Sequence, residues 1–487
     1  MSHSRISLLT ELLKTFTEKE LVAFIKFVES EYFNKDKKLV ILLKKLRRYA
    51  LNAEKFTSQI QLKVYEDTYC ELPLKQTELT KKQYVFLNNK QHKLLRLAEK
   101  FLMIENLETN EISKMDLLYY LLIDRKQINL YSRNLKSLTN KLNNESIHGI
   151  GYYTSQYKVQ EITLSYLIKN GQITATDNYN ELQYYLNINY ILEKLKYHLA
   201  QLTLTKAYKN KHYEYSSLTE ISGLLKKPVY AENPLIQIYL GNISLVEKQS
   251  DEPFNKLFET LTHNQKILPA EFLLVFYSNL TNFCSAQIRK GNASYYKKLF
   301  DIYKIMHQYH LLIFDDFISS NLVKNIITVS CALKEFEWAN NFLLHYKKVI
   351  PKKISDSIYF YNKGVIDFNK NNFDAAQDWF LQVDKISDTY EMGLRVFMLQ
   401  CIFEIEQDYN EATKQSFESA KQFFKRNTKL AAINKKSYLN FISSLISLYK
   451  FKHKASKLEL PKIMHQINSM AVVHKKKWLM DKIAELG

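Results

Sequence analysis

Glycine and proline are scarce in this chain, and this scarcity limits its possible folds more than any motif does. Only 9 Gly and 7 Pro occur among 487 residues. Sheet proteins need many tight turns, and tight turns depend on these two residue types. A long chain that is poor in both folds more easily as helices with short connections. Because hydrophobic residues make up 46% of the sequence, it can also bury a large core. We therefore predict an all-α protein.

Apolar residues at helical spacing indicate the first helices. Thr17 and Glu20 form a capping-box pattern just before an apolar run, which predicts a helix start. A helix is predicted from about Lys81 to Met103, and a long one from Tyr179 to Tyr208. The segment 143–151 is rich in Asn and contains two glycines, so a loop is expected there.

A repeat emerges after about residue 230. Its motif is an aromatic residue, a small residue three positions later and a large apolar residue four positions after that. The clearer copies are Phe336, Ala339 and Leu343; Phe373, Ala376 and Phe380; and Tyr409 and Ala412, with Ser416 in the place of the large residue. Weaker copies are Phe254, Leu257 and Leu261, and Ala293, Tyr296 and Phe300. Pro269 and Pro351 each follow a motif at the point where a helix should have ended.

The unit from Ser355 to Lys385 carries this pattern most fully. Gly364 supplies a small residue on a first helix, and Phe373-Asp374-Ala375-Ala376 opens a second helix. Here the sequence resembles the tetratricopeptide repeat family, over perhaps residues 230–425. The resemblance implies helix pairs stacked into an α-solenoid, in which the first helix of each pair lines a concave groove. The expected fold is thus a helical-repeat α-solenoid with an N-terminal helical domain.

The same resemblance suggests which residues contact a partner in the concave groove. Family members that bind a peptide's terminal carboxylate use Lys and Asn at inner positions, and Lys324 and Asn325 fill part of that role. Later units place Tyr361, Val365 and Cys401 where more polar residues would be needed, which argues against carboxylate capture. The alternative is that these residues pack or face solvent. The candidate groove residues are Asn321, Lys324, Asn325, Thr328, Tyr361, Val365 and Phe368.

The front of the chain carries a second resemblance. Phe24 and Phe27, the segment 29–35 and the later segment 190–195 look like those of a family of uncharacterised helical proteins from Bacteroidota bacteria. That family has no assigned activity, so this resemblance adds no chemistry. Together the patterns predict an N-terminal helical domain at 1–105, a middle helical region at 106–229, helix-pair repeats at 230–425 and C-terminal helices at 426–487.

The net charge of +19 has two interpretations. Of the 69 basic residues only 9 are Arg, and Arg is the residue suited to bidentate phosphate and guanine contacts. The composition also favours Ile, Asn, Tyr and Phe, as an AT-rich genome would produce without selection for charge. The other interpretation is a functional basic surface, which would favour an acidic partner.

No sequence motif indicates a reaction. The chain has no Walker loop, no G-x-S-x-G and no H-E-x-x-H, and its four cysteines show no metal or disulfide spacing. His307, His310, Asp315 and Asp316 could suggest a metal site, but we interpret them as a solvated helix face near a turn. We therefore expect no catalytic residues, no cofactor and no metal.

The N-terminus lacks the apolar region of a signal peptide, and no run of about 18 apolar residues occurs. We therefore expect a cytoplasmic protein without a membrane segment. The expected function is a non-enzymatic scaffold that binds a segment of a partner protein in the concave groove. The alternative is a basic helical protein associated with nucleic acid. The oligomeric state stays open.

Overall fold

The computed structural model describes residues 8–51, 57–169, 171, 176–207, 218–314, 316–384, 387–406, 408, 410–428, 430–453 and 459–487. These residues are 80% helical, and 22 substantial helices follow one another in pairs, which confirms the all-α prediction. A two-stranded antiparallel hairpin, β1 Ile313–Phe314 and β2 Phe317–Ile318, was not predicted. Its turn includes Asp316, which adopts a positive φ of 66°.

Contacts divide the chain into two compact units. Unit 1 consists of Met1–Ser146 and Ile150–Asn189, and unit 2 of Ile147–Gly149 and Tyr190–Gly487. The four segments predicted from the sequence stay a prediction.

The following helices belong to unit 1, and the last of them continues into unit 2: α1 Leu8–Leu13, α2 Glu18–Glu29, α3 Lys37–Leu51, α4 Ser58–Tyr69, α5 Lys81–Thr109, α6 Glu111–Asp124, α7 Ile128–Asn143, α8 Ile150–Lys169 and α9 Thr176–Ala207.

The predicted capping box starts α2. The Thr17 side chain accepts the backbone N–H of Glu20 at 3.2 Å, and the Glu20 carboxylate accepts the Thr17 N–H at 2.6 Å. These hydrogen bonds lower the pKa of Glu20. The helix then buries Phe24 against Phe101 of α5, with ring centres 5.4 Å apart, so the cap leads directly into the core of α1–α5.

The remaining helices belong to unit 2: α10 Thr219–Leu225, α11 Pro228–Ala231, α12 Pro234–Lys248, α13 Asp251–Asn264, α14 Ala270–Arg289, α15 Tyr295–Gln308, α16 Ser320–Ala332, α17 Phe336–Tyr346, α18 Ser355–Asn369, α19 Phe373–Leu381, α20 Asp388–Ile405, α21 Glu411–Arg426, α22 Ala432–Lys452, α23 Leu460–Ser469 and α24 Lys476–Leu486.

Small residues let neighbouring helices of unit 2 approach each other closely. A Cβ added at Gly364 of α18 would lie 2.5 Å from Cε1 of Phe380 in α19. A Cβ added at Gly241 of α12 would lie 3.2 Å from Cδ1 of Leu257 in α13. Phe380 and Leu257 are both fully buried. The helix pairs α18–α19 and α12–α13 therefore close through a glycine on the first helix and a large residue on the second.

Three of the five predicted motif copies occupy packing positions. Each of the copies at Phe254, Phe336 and Phe373 places its second and third residues in the core. The weak copy at Ala293 departs from this pattern, because α15 begins only at Tyr295 and Ala293 is exposed.

The last predicted copy is out of phase. Tyr409 lies outside the described residues, Ala412 is exposed and Ser416 is half-buried. The buried residues of α21 are instead Thr413 and Phe417 and those that follow at helical spacing. Asn410 caps α21 through its side chain, which accepts the N–H of Thr413 at 2.9 Å. With α21 starting at this cap, positions 413 and 417 face the core. The prediction that positions 412 and 416 make the packing contacts is therefore wrong.

Over the described ranges, no helix combines the length and the apolar character needed to span a bilayer.

Candidate functional site

The four predicted groove residues of α16 lie on its more accessible side. Asn321, Asn325 and Thr328 are exposed, and Lys324 is half-buried. They recur at spacings of three and four residues and so share one face of the helix. This face is open to solvent in the structure and could contact a partner.

The three predicted groove residues of α18 lie elsewhere. Tyr361, Val365 and Phe368 are only 1%, 4% and 7% exposed. The physical reason is that α18 packs against α16, α17, α19 and α20 and so has little free surface. Their predicted contact role is therefore corrected to a packing role.

The buried Tyr361 of α18 contacts Lys324, one of the predicted groove residues of α16. Lys324 Nζ lies 5.8 Å from the centre of its ring and 5.3 Å from that of Tyr390 in α20. The Tyr390 hydroxyl donates a hydrogen bond of 2.6 Å to the carbonyl of Ser320. Gly393 is required beside Tyr361, because a Cβ there would clash with the tyrosine hydroxyl. Burial raises the pKa of both tyrosines, so both hydroxyls stay protonated.

A large depression, which we call the α20 groove, lies between the end of α19 and α21, with α20 as its floor. Its volume is about 680 Å³. The floor is mainly apolar, and the walls come from both neighbouring helices. Its main lining residues are Leu394, Met398, Leu399 and Ile402 on the floor, Phe380 and Leu381 on one wall, and Ala412 and Ser416 on the other.

The groove is open because α21 presents small side chains to it. Ala412 and Ser416 face the cavity, whereas the large Phe417 points into the core beside them. On the opposite wall Leu381 is 68% exposed. The groove therefore combines an apolar floor with an accessible apolar wall.

Arginine lies at one end of the α20 groove. Arg395 Nη2 donates to Glu391 at 3.1 Å, and its guanidinium carbon lies 4.1 Å from the centre of the Phe423 ring. Its Nε is buried and has no hydrogen-bond partner among the described residues. A smaller depression of about 460 Å³ continues past Arg395 to Arg426. The groove thus passes from an apolar floor to a positively charged end.

Sequence reasoning missed Leu394, Arg395 and Met398. No sequence signal locates the groove, because the last motif copy is out of phase and Phe417 takes the core position that the motif assigned to Ser416.

The histidine and cysteine residues do not assemble into a metal site in the described part of the chain. His307 Nδ1 is 2.8 Å from the Tyr346 hydroxyl, and its ring meets Trp338 edge-on, so it belongs to an aromatic cluster rather than to a solvated face. Asp315 lies outside the described residues. Burial raises the pKa of Cys284, Cys331 and Cys401 to about 12 and keeps these thiols protonated.

Comparison of the chain with known protein families, with curated proteins and with solved structures finds no match.

Proposed function

We propose that this protein is a non-catalytic interaction scaffold that binds a segment of a partner protein in the α20 groove. In this proposal the helix pairs from α12 to α21 form a tetratricopeptide-like solenoid, and the groove is the gap where one pair does not close. The observation that carries the proposal is the open, largely apolar groove between α19 and α21.

The size and lining of the groove suit an amphipathic segment. Binding sites for small ligands and side-chain anchors typically measure about 300–1,000 Å³, and the groove falls within this range. A helix docked in such a groove inserts apolar side chains spaced three or four residues apart. Met398 on the floor is flexible and polarisable, so it can adapt to anchors of different shapes.

The charge of the groove end favours acidic residues beside those anchors. Arg395 and Arg426 both line the smaller depression. Glu391 offsets part of the charge of Arg395, and Asp384 lines the other side of the α20 groove, so the positive charge is confined to the end at Arg395 and Arg426. An acidic segment would therefore meet a complementary potential, which speeds its encounter and orients it.

The exposed α16 residues remain predicted contacts. Asn321, Asn325 and Thr328 present amide and hydroxyl groups that could pair with a partner's backbone. Tyr361, Val365 and Phe368 leave the proposed contact surface, because their side chains are enclosed.

A peptide library tests the proposal. Amphipathic peptides of about 15 residues, with matched apolar anchors and acidic, neutral or basic flanks, would be titrated onto the full-length protein. We expect the acidic peptides to bind most tightly. Ser416→Trp should fill the groove and weaken binding by at least about tenfold, a loss of ~1.4 kcal/mol. The matched control is Ser443→Trp, on an exposed position of α22, which should leave binding unchanged.

Two results would contradict the proposal. One is equal binding by Ser416→Trp and Ser443→Trp. The other is that no peptide class binds while DNA or RNA is retained with a steep dependence on salt, which would favour nucleic acid as the partner.

A further inference from the structure

The positive charge of this chain is concentrated in its last part. Residues 419–487 contain 15 basic and 3 acidic residues, whereas the other 418 residues contain 54 basic and 47 acidic residues. A biased genome composition would raise the lysine content along the whole chain, so it does not account for a local shortage of acidic residues. The uneven distribution therefore favours the second interpretation of the charge, a functional basic surface.

A stack of aromatic rings brings three basic segments of unit 2 together. Phe424 near the end of α21 stacks on Tyr438 of α22 with ring centres 4.4 Å apart, and the His474 ring before α24 lies 4.3 Å from the Tyr438 ring. The backbone N–H of His474 also donates to the Ser437 carbonyl at 3.1 Å. Each of the three rings lies within three residues of exposed basic side chains in the sequence. The basic residues of all three segments therefore meet at one end of these helices.

The helices α22 and α24 both begin at this end. The His474 ring contacts Tyr438, and one turn further along both segments the Trp478 ring lies 6.4 Å from that of Phe441. Because these contacts advance together, α22 and α24 run in the same direction. In the described structure neither helix start is capped by a side chain. The first backbone N–H groups and the positive dipole ends of two helices therefore lie beside the basic residues.

Five basic side chains at this end form no ion pair with a described carboxylate, and we call them the basic end: Lys425, Arg426, Lys436, Lys476 and Lys477. Four of them are exposed, and Lys476 is half-buried. The Lys435 ammonium donates to the Lys425 carbonyl at 3.1 Å and so compensates the negative end of α21. Asp481, one turn after Lys477 on α24, offsets part of the charge there. The positive charge is therefore strongest at the ends of α21 and α22.

The basic end fits the phosphate backbone of a nucleic acid better than it fits a protein or a membrane. Protein interfaces and membrane-bound helices both need apolar residues in their contact surface. Of the large apolar side chains that the structure describes at these three helix ends, only Ile433 is exposed. Nucleic-acid interfaces are instead polar and positively charged, and helix N-termini bind phosphate groups directly. Lysine contacts phosphate as a point charge, and a single arginine offers little for reading bases.

We propose that the basic end binds the phosphate backbone of double-stranded nucleic acid without reading its sequence. A duplex is favoured over a single strand, because unpaired bases bind by stacking on exposed aromatic rings. At the basic end Phe424 is fully buried, and the rings of Tyr438 and His474 stack within the protein. This activity is additional to the partner binding proposed for the α20 groove and does not depend on it. Arg426 also borders the smaller depression beside that groove, so the test variants leave it unchanged.

The double variant Lys425→Gln, Lys436→Gln tests the basic end. Both side chains are exposed, on the neighbouring helices α21 and α22, so their loss should not affect the fold. The matched control is Lys248→Gln, Lys256→Gln, which removes the same charge from exposed positions of the neighbouring helices α12 and α13. Binding of a DNA duplex of about 24 base pairs to the full chain would be measured by fluorescence anisotropy at salt concentrations from about 50 to about 300 mM.

The salt dependence gives the expected result. Each phosphate contact contributes about 0.9 to the slope of log affinity against log salt concentration, so five contacts should give a slope of about −4 to −5. Loss of two contacts should make the slope shallower by about 2 and weaken binding at least about tenfold at about 100 mM salt. The control variant should keep the original slope and bind within about twofold of the unchanged protein.

Three further probes distinguish the possible ligands: an RNA duplex, a single-stranded DNA of the same length, and vesicles that contain anionic phosphatidylserine. Tightest binding of a duplex, weakened in Lys425→Gln, Lys436→Gln alone, would support the proposal, and the order of the DNA and RNA duplexes would assign the kind of duplex. Equal affinities and slopes for the two double variants would overturn it, because the net charge of the whole chain would then explain the binding. Preference for the single strand or the vesicles, or no binding of a duplex at the lowest salt concentration, would also overturn it. Peptide binding in the α20 groove is measured separately, so either proposal can fail while the other stands.

Discussion

Two neighbouring helix pairs of unit 2, α18–α19 and α20–α21, differ in how the second helix of the pair packs. In α18–α19, Gly364 admits the ring of Phe380, which is 2% exposed. In α20–α21, Thr413 and Phe417 face the core, and Ala412 and Ser416 face the α20 groove instead. The two pairs therefore differ in which face of the second helix turns toward the core, and this decides whether small side chains leave a surface for another molecule.

Removing the closing residue should have the largest effect. Phe380 stacks on Phe397 with ring centres 5.4 Å apart and fills the space beside Gly364. Phe380→Ala should therefore lower the free energy of unfolding of this region by about 3–5 kcal/mol. Hydrogen exchange in α18 and α19 would measure it. The adjacent Leu381→Ala, at an exposed position, should lower the free energy of unfolding by less than about 0.5 kcal/mol. An equal loss for both variants would show that Phe380 does not close the α18–α19 pair.

Overpacking gives the next largest effect. Ala376 is fully buried at the α18–α19 contact, so Ala376→Leu should destabilise by about 1–3 kcal/mol. Ala412→Leu makes the same change at the exposed position of α21, where the groove offers room. It should leave the unfolding free energy within about 0.5 kcal/mol of the original. Chemical denaturation of both variants would show whether only the α18–α19 contact lacks room for a larger side chain.

Acid should weaken the open pair selectively. Phe424 of α21 stacks on Tyr438, and the His474 ring lies 4.3 Å, centre to centre, from the Tyr438 ring, so these contacts support the outer side of α21. The pKa of His474 is about 4 in the folded protein, below its ordinary value of 6.5. Because the unfolded chain binds the proton more readily, this stabilisation is complete above pH 6.5 and is lost as pH falls toward 4.

The expected loss is about 1–2 kcal/mol, after allowance for the part of the ring that solvent reaches. Hydrogen exchange should show it in α21 and α22 more than in α18 and α19. His474→Gln should flatten the pH dependence, and His465→Gln, at an exposed position of α23, should not. The same pH dependence in both variants would contradict the assignment to His474.

Adding a large residue on the groove wall should have the smallest effect. Ser416→Leu covers part of the groove floor and should stabilise the protein by about 0.5–1 kcal/mol, since the new side chain is only partly buried. Ser443→Leu on exposed α22 should change the stability by less than this. Thermal unfolding of the two variants would measure this difference, and a destabilised Ser416→Leu would mean that the groove has no room for a larger side chain.

Much of the architecture follows from the sequence. The capping box at Thr17 and the long helix α9 were both predictable, because local hydrogen bonds and apolar spacing determine them. The phase of α21 was not, because it depends on the cap at Asn410 and not on the motif letters.

The enclosure of Tyr361 was not predictable either. It results from four helices meeting around α18, and local periodicity does not report such contacts. Lys324 Nζ lies 5.3 Å from the centre of the Tyr390 ring, although the two residues are 66 positions apart in the sequence. Only the packing of unit 2 brings them together.

The proposed function requires the α20–α21 pair to be open where the α18–α19 pair is closed, and thiol labelling measures this directly. With Cys70→Ser removing the one native thiol that is not fully buried, Ser416→Cys and Ala376→Cys would each be exposed to a thiol reagent under native conditions. We expect the thiol introduced at 416 to react within about tenfold of a free peptide thiol, and the one at 376 to react at least about 100-fold more slowly. Equally slow labelling at both positions would show that the groove is closed and would contradict the proposed function.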